Sequence, residues 1–144
     1  AHKTANYLEC ALGTREAAAR GAEEGLFTDA AGNYLEGCTT NLFAVAEGAL
    51  WTAEAGVLPG VARAIALEAA AEAGMTVRPG AIPGAVLREA EELFLTNSVI
   101  EVAGVVELDG RALAGGDIGS VTRRIAAAYR ARVEAEREAS FPRA

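Results

Sequence analysis

A single lysine, Lys3, stands among twelve arginines in this chain of 144 residues. Arginine stays protonated in a protein, whereas a lysine amine can lose its proton and attack a carbonyl to form a Schiff base. The bland alternative is a compositional bias that exchanged Lys for Arg and left one behind. His2 is the only histidine. On a strand it would point away from its neighbour Lys3, and one imidazole cannot make half of a metal site. Cys10 and Cys38 have no metal-type spacing and read as free thiols in a reducing cytoplasm. No Ser-His-Asp set and no nucleotide-binding glycine loop can be assembled.

The length suits one domain, residues 1–144, large enough to bury a core. Half of the residues (51%) are hydrophobic, but no apolar run reaches the length of a membrane span. A net charge of −7 argues against nucleic acid or an anionic membrane surface as partner. The segment opening on Ala1-His2-Lys3 has no signal-peptide pattern, which fits a cytoplasmic setting.

Helices and strands alternate, so the fold class is mixed α/β. The stretch 7–20 predicts a helix with Leu8, Ala11, Leu12 and Arg15 on one face, closed by Gly21. Short strands at 26–28 and 34–35 flank a turn at 29–33, and strands at 41–45 and 49–52 flank Glu47-Gly48. A helix is expected over 60–73, a strand at 75–77, a short helix at 83–91, and strands at 92–96 and 105–108. An amphipathic helix over 119–138 carries Val121, Ile125, Ala128, Tyr129 and Val133 inward.

On these elements five short blocks follow one another: Lys3-Thr4-Ala5-Asn6-Tyr7-Leu8, Glu36-Gly37-Cys38-Thr39-Thr40-Asn41-Leu42-Phe43, Leu58-Pro59-Gly60-Val61-Ala62-Arg63, Glu91-Glu92-Leu93-Phe94-Leu95-Thr96-Asn97-Ser98 and Gly116-Asp117-Ile118-Gly119-Ser120-Val121-Thr122. Their order and gaps, over nearly the whole chain, resemble the fold-type IV pyridoxal-phosphate enzymes: branched-chain and D-amino-acid aminotransferases and aminodeoxychorismate lyase. The resemblance implies the cofactor-binding domain of the D-amino-acid aminotransferase-like fold, a mixed sheet or pseudo-barrel with flanking helices. It also implies pyridoxal 5'-phosphate as cofactor, a small-molecule substrate and a homodimer.

By the same resemblance Lys3 is the Schiff-base lysine that shuttles the substrate Cα proton, and Glu36 pairs with the pyridine nitrogen. The segment Leu58, Gly60, Val61 and Ala62 binds the phosphate through first-turn amides of the coming helix. Leu58 packs on the ring, or simply in the core. The family usually carries Thr where this chain has Ala62, so one hydroxyl is missing. Asn97 and Ser98 match a second phosphate contact, and Tyr7 a hydrogen bond to the phenolic oxygen or a packing position. Cys38 and Thr39 line the pocket or the core, and Arg63 makes a structural pair.

Family members carry an N-terminal domain ahead of the lysine, where this chain has two residues, so the chain reads as the C-terminal domain of a longer protein. The Lys3-to-Tyr7 spacing and Thr96-Asn97-Ser98 lean toward aminodeoxychorismate lyase, which releases pyruvate and forms 4-aminobenzoate. Branched-chain or D-amino-acid transamination is the alternative, and a non-catalytic binding module of the same fold is a third. Val102-Ala103-Gly104-Val105 replaces the family's V-x-P-V and is expected to give a differently shaped loop.

Overall fold

The computed structural model describes residues 7–140. It contains helix α1 (Leu8–Ala19), strands β1 (Leu26–Thr28), β2 (Tyr34–Gly37), β3 (Asn41–Ala46) and β4 (Ala49–Thr52), and helix α2 (Val61–Glu72). Strand β5 (Thr76–Pro79), helix α3 (Gly84–Glu89), and strands β6 (Glu92–Asn97) and β7 (Glu101–Val105) follow. A small hairpin of β8 (Glu107–Leu108) and β9 (Arg111–Ala112) then leads through a 3-10 turn at Ala114–Gly116 to helix α4 (Ser120–Ser140).

Strand β3 is the hub of the seven-stranded sheet. It pairs antiparallel with β6 from Asn41↔Thr96 to Val45↔Glu92, with β4 from Phe43↔Thr52 to Ala46↔Ala49, and with β2 at Glu36↔Asn41. Among the described strands only β4 and β5 run parallel, joined by the crossover through α2. Beyond β5, Ile82 exchanges both backbone hydrogen bonds with Tyr34 of β2, at 2.8 and 2.9 Å. The β2–β5 part of the sheet therefore curls back on itself, as the expected pseudo-barrel requires.

Because side chains alternate across a strand, β3 feeds two cores. Phe43 and Val45 face α2 and α4 with Phe94, Val102, Ala62, Ala66, Ile125 and Tyr129. Leu42, Ala44 and Ala46 face the other way, with Leu93, Leu95, Ile82, Leu87 and Leu113. Phe43 and Phe94, directly paired across the strands, stack at 4.6 Å between ring centroids. The alanine face of α2 lets that helix lie close on the sheet. Arg132 of α4 bridges to Glu68 and Glu72 of α2, exposed pairs that add little to stability.

Three expectations are corrected. Helix α1 does not bury Leu8 and Leu12, which are 63% and 47% exposed, nor Ala11 and Arg15. Its inward residues are small: Ala17 is buried, and a Cβ on Gly13 would lie 2.6 Å from Cys38 Sγ and 3.1 Å from the Phe27 ring. Close approach, not an apolar stripe, docks this helix. The expected strand at 105–108 is split. Val102-Ala103-Gly104-Val105 is not a loop but lies in β7, paired with β6. With no proline to interrupt the ladder, pairing runs from Glu101 to Val105, and the chain breaks out at Val106 instead.

Candidate functional site

The cross-strand register brings three polar residues into one row on the α2/α4 face of the sheet. Glu36 pairs with Asn41, and Asn41 with Thr96. The turn between β2 and β3 that aims Glu36 is clamped by Glu24. The Glu24 carboxylate accepts bonds from the Cys38 amide (3.1 Å) and the Thr39 and Thr40 hydroxyls (3.3 and 3.2 Å).

Glu36 itself is half-buried. Its Oε2 accepts the Leu58 amide at 2.9 Å and the Asn41 side-chain N–H at 3.2 Å. Its Oε1 accepts no hydrogen bond among the described residues, which leaves that oxygen for a ligand. Burial pushes the Glu36 carboxyl above the ordinary carboxylate range, and the Leu58 amide only partly offsets this. A carboxylate in this state is stabilised by a cationic N–H brought beside it.

Helix α2 starts next to this row. Gly60 is its N-cap in extended geometry, and no side chain caps the helix. A Cβ at Gly60 would fall 2.2 Å from Asn41 Oδ1, so only glycine allows the helix start to come this near to β3. The uncapped first-turn amides and the helix dipole make this end receptive to an anion. Val61 is 72% exposed, whereas the Ala62 side chain is buried in the core. Ala62 can therefore meet a ligand only through its amide. Arg63 donates from Nη2 to the Ala53 carbonyl at 2.7 Å, the structural role expected of it, and burial lowers the pKa of its guanidinium.

The turn after β6 reaches the same end of the sheet. Asn97 Nδ2 donates to the Thr39 carbonyl at 3.3 Å, and its Oδ1 accepts the Val99 and Ile100 amides, both at 2.8 Å. Asn97 is thus committed to shaping its own turn, while Ser98 beside it is exposed and free of such duty. The Thr96 hydroxyl is fully buried and has no hydrogen-bond partner among the described residues. Glu36, Leu58, Gly60, Val61, the Ala62 amide, Asn97 and Ser98 therefore share one end of the sheet. Tyr7, at the start of α1, is 52% exposed and lines a shallow depression with Cys10, Thr14, Arg15 and Thr39. Lys3 and His2 lie outside the described residues. Cys38 is a buried thiol packed against Gly13 and Gly25, and Thr39 is exposed.

Three residues escaped the sequence reading. Asn41 sat inside a motif without a role, although its fixed distance from Glu36 was the available signal. Glu24 carried no signal. Glu92 is 8% exposed, and its carboxylate accepts the Val121 amide (3.0 Å), the Thr122 amide (2.8 Å) and the Thr122 hydroxyl (2.8 Å) at the start of α4. Among the described residues no group of His, Cys, Asp and Glu could hold a metal ion, and no helix is long and apolar enough to cross a membrane.

The chain is similar in sequence and fold to known proteins. The branched-chain-amino-acid aminotransferase of Escherichia coli strain K12 is 35% identical over 126 residues, covering 86% of this chain and 41% of that protein. The chain thus spans about two fifths of the length of the curated relatives it matches. A branched-chain amino acid aminotransferase structure from Thermoproteus uzoniensis, with norvaline, superposes with a TM-score of 0.84 at 33% identity, over 94% of this chain and 46% of that one. A further branched-chain aminotransferase structure, this one with pyridoxamine 5'-phosphate, reaches 0.85 at 33% identity, over 92% of this chain and 44% of that one. A Legionella pneumophila structure provisionally named 4-amino-4-deoxychorismate lyase reaches 0.78 at 28% identity, over 85% of this chain and 46% of that one. The model of the amino-transferase class IV family matches residues 1–108, three quarters of the sequence, and the chain belongs to that family.

Proposed function

We propose that this chain is the pyridoxal-phosphate-binding part of an aminotransferase acting on branched-chain amino acids. The observation that carries the reading is the pairing of Glu36, with its free Oε1 and raised pKa, with the uncapped start of α2 at Gly60. The residues fit the cofactor. Glu36 suits a protonated ring nitrogen, and the amides of Val61 and Ala62 with Ser98 suit the phosphate. Leu58, fixed by its two backbone bonds to Glu36 and Asn41, would pack on the ring. When bound, pyridoxal phosphate supplies an electron sink for charge developing at the substrate Cα.

The chain's own residues supply the rest. Lys3 is the attachment point, and its neutral amine moves the proton on and off the substrate Cα. Glu36 would hold the proton on the ring nitrogen, and the α2 amides would anchor the phosphate. Residues 1–144 act as one cofactor-binding domain, and the activity belongs to a protein with further regions, a homodimer in the cytoplasm. The E. coli and Thermoproteus relatives support branched-chain transamination over the lyase reading.

The Legionella likeness and Thr96-Asn97-Ser98 keep aminodeoxychorismate cleavage as the second reading. Transamination transfers an amino group before any second substrate arrives, so leucine or isoleucine alone should release about one equivalent of keto acid per site. Reduction of the holoprotein with borohydride should leave the label on the Lys3 peptide. Inertness toward leucine and isoleucine, with steady pyruvate release from aminodeoxychorismate, would establish the lyase instead.

A further inference from the structure

Asn41 is the one side chain among the described residues that touches both ends of the proposed cofactor site. It is the first residue of β3 and is 5% exposed. Its Nδ2 donates to the Leu58 carbonyl at 2.8 Å and to Glu36 Oε2 at 3.2 Å, while the Leu58 amide donates to that same Oε2 at 2.9 Å. Both neighbours of Nδ2 are pure acceptors, which settles the orientation of the amide. Its Oδ1 then abuts Gly60, the N-cap of α2, in the space a Cβ would need. One amide group therefore pins one oxygen of the carboxylate, holds the loop before α2, and sets how near the start of that helix can approach.

No other residue type of this size can do all three. Aspartate would set an acceptor against two acceptors and a second negative charge beside Glu36. Leucine would keep the shape and remove both bonds. Threonine, serine and glutamine change the reach.

We infer that Asn41 is a positioning residue that couples the two ends of the site. Ring-nitrogen binding at Glu36 tightens anion binding at the start of α2, and the reverse. This rests on the proposed cofactor and adds to it an energetic link between its two halves. Linkage is reciprocal, and couplings of this kind typically correspond to about 5–150-fold in affinity.

The test uses the protein freed of its cofactor and two probes: pyridoxal, which lacks the phosphate, and inorganic phosphate. Phosphate affinity is measured by calorimetry or phosphorus NMR with and without saturating pyridoxal. In the wild type, pyridoxal should tighten phosphate binding by roughly 5-fold or more. In Asn41→Leu each probe should still bind alone, but the mutual enhancement should fall below roughly twofold, a change that a merely structural role would not produce. Should that variant fail to fold, Asn41→Ser offers the same comparison with a smaller change in volume. Enhancement that persists in a folded Asn41 variant overturns the inference, as does a wild type that binds both probes with no enhancement. A wild type that binds neither probe overturns the cofactor assignment itself and, with it, this inference.

Discussion

Glu92 gives its carboxylate to the first turn of α4, whereas Glu36 gives one oxygen to the segment before α2 and leaves the first-turn amides of that helix uncapped. Both acids lie beside a helix start, on the same face of the sheet, yet they are driven in opposite directions. Burial raises both. At Glu92 this is outweighed by the Thr122 amide, the Val121 amide, the Thr122 hydroxyl and the nearby Arg123, so its pKa ends below the ordinary range. At Glu36 burial prevails over the single Leu58 amide. The start of α4 is filled by the chain's own carboxylate, whereas the start of α2, the proposed phosphate site, has no side-chain cap. Glycine marks both: a Cβ at Gly119 would fall 1.8 Å from the Glu92 carboxyl carbon, as one at Gly60 would strike Asn41.

The largest effect that separates the two acids should be on catalysis. Glu36→Gln is expected to slow turnover by roughly 10²–10³ through lost electrostatic support, with folding stability unchanged within about 1 kcal/mol. Steady-state kinetics and denaturant unfolding on one preparation check both halves. Near-native turnover would place the ring-nitrogen partner elsewhere.

Glu92→Gln should do the reverse. Losing a buried charged acceptor from three donors is expected to cost about 2–3 kcal/mol of stability, while the folded fraction keeps turnover within roughly threefold. A variant as stable as the wild type would mean that α4 needs no cap from β6.

The pH dependence should divide in the same way. Glu92 has its folded pKa lowered, so its contribution is complete above about pH 4.3 and is lost as pH falls through the folded value. Glu36 has its folded pKa raised, so the stability linked to it is complete below about pH 4.3 and is lost as pH rises through the folded value. Glu92→Gln should therefore flatten the acid limb of the stability profile. Glu36→Gln, measured without cofactor, should gain on the wild type as pH rises above that point. Denaturant midpoints across pH check both, and identical profiles would remove the contrast.

The smallest effect concerns Thr96, at the opposite end of β6 from Glu92. Its hydroxyl is buried without a partner among the described residues, so Thr96→Val should raise stability by up to about 1 kcal/mol. A loss of stability in thermal unfolding would reveal that the hydroxyl has a use in the folded protein.

Most of the elements were legible because their signals are local: short apolar runs in β3 and β6, glycine after α1 and α2, and turn residues between β3 and β4. The Glu36 and Leu58–Ala62 blocks stood out through their resemblance to a family pattern, whose motifs are short and contiguous. Glu92 was not legible, since Glu91 and Glu92 are adjacent and alike, and only Glu92, at the start of β6, reaches α4. Asn41 gained its role from a loop seventeen positions away in the chain. The inward face of α1 was misjudged because glycine and alanine give no hydrophobic signal, although they allow the closest contact. The strand through Val102 to Val105 was missed because its partner, not its composition, makes it a strand.

The pairing of Asn41 with Thr96 joins segments more than fifty residues apart, while β3 and β4 meet across a two-residue turn. The β3–β4 hairpin can close within microseconds, but β6 must cross a long loop entropy to reach its place. Glu36 and the start of α2 can assemble around Asn41 early, yet the Ser98 turn arrives only with β6. The proposed site is then finished by one of the last long-range steps of folding, and a chain cut off before β6 carries only its Glu36 and α2 half.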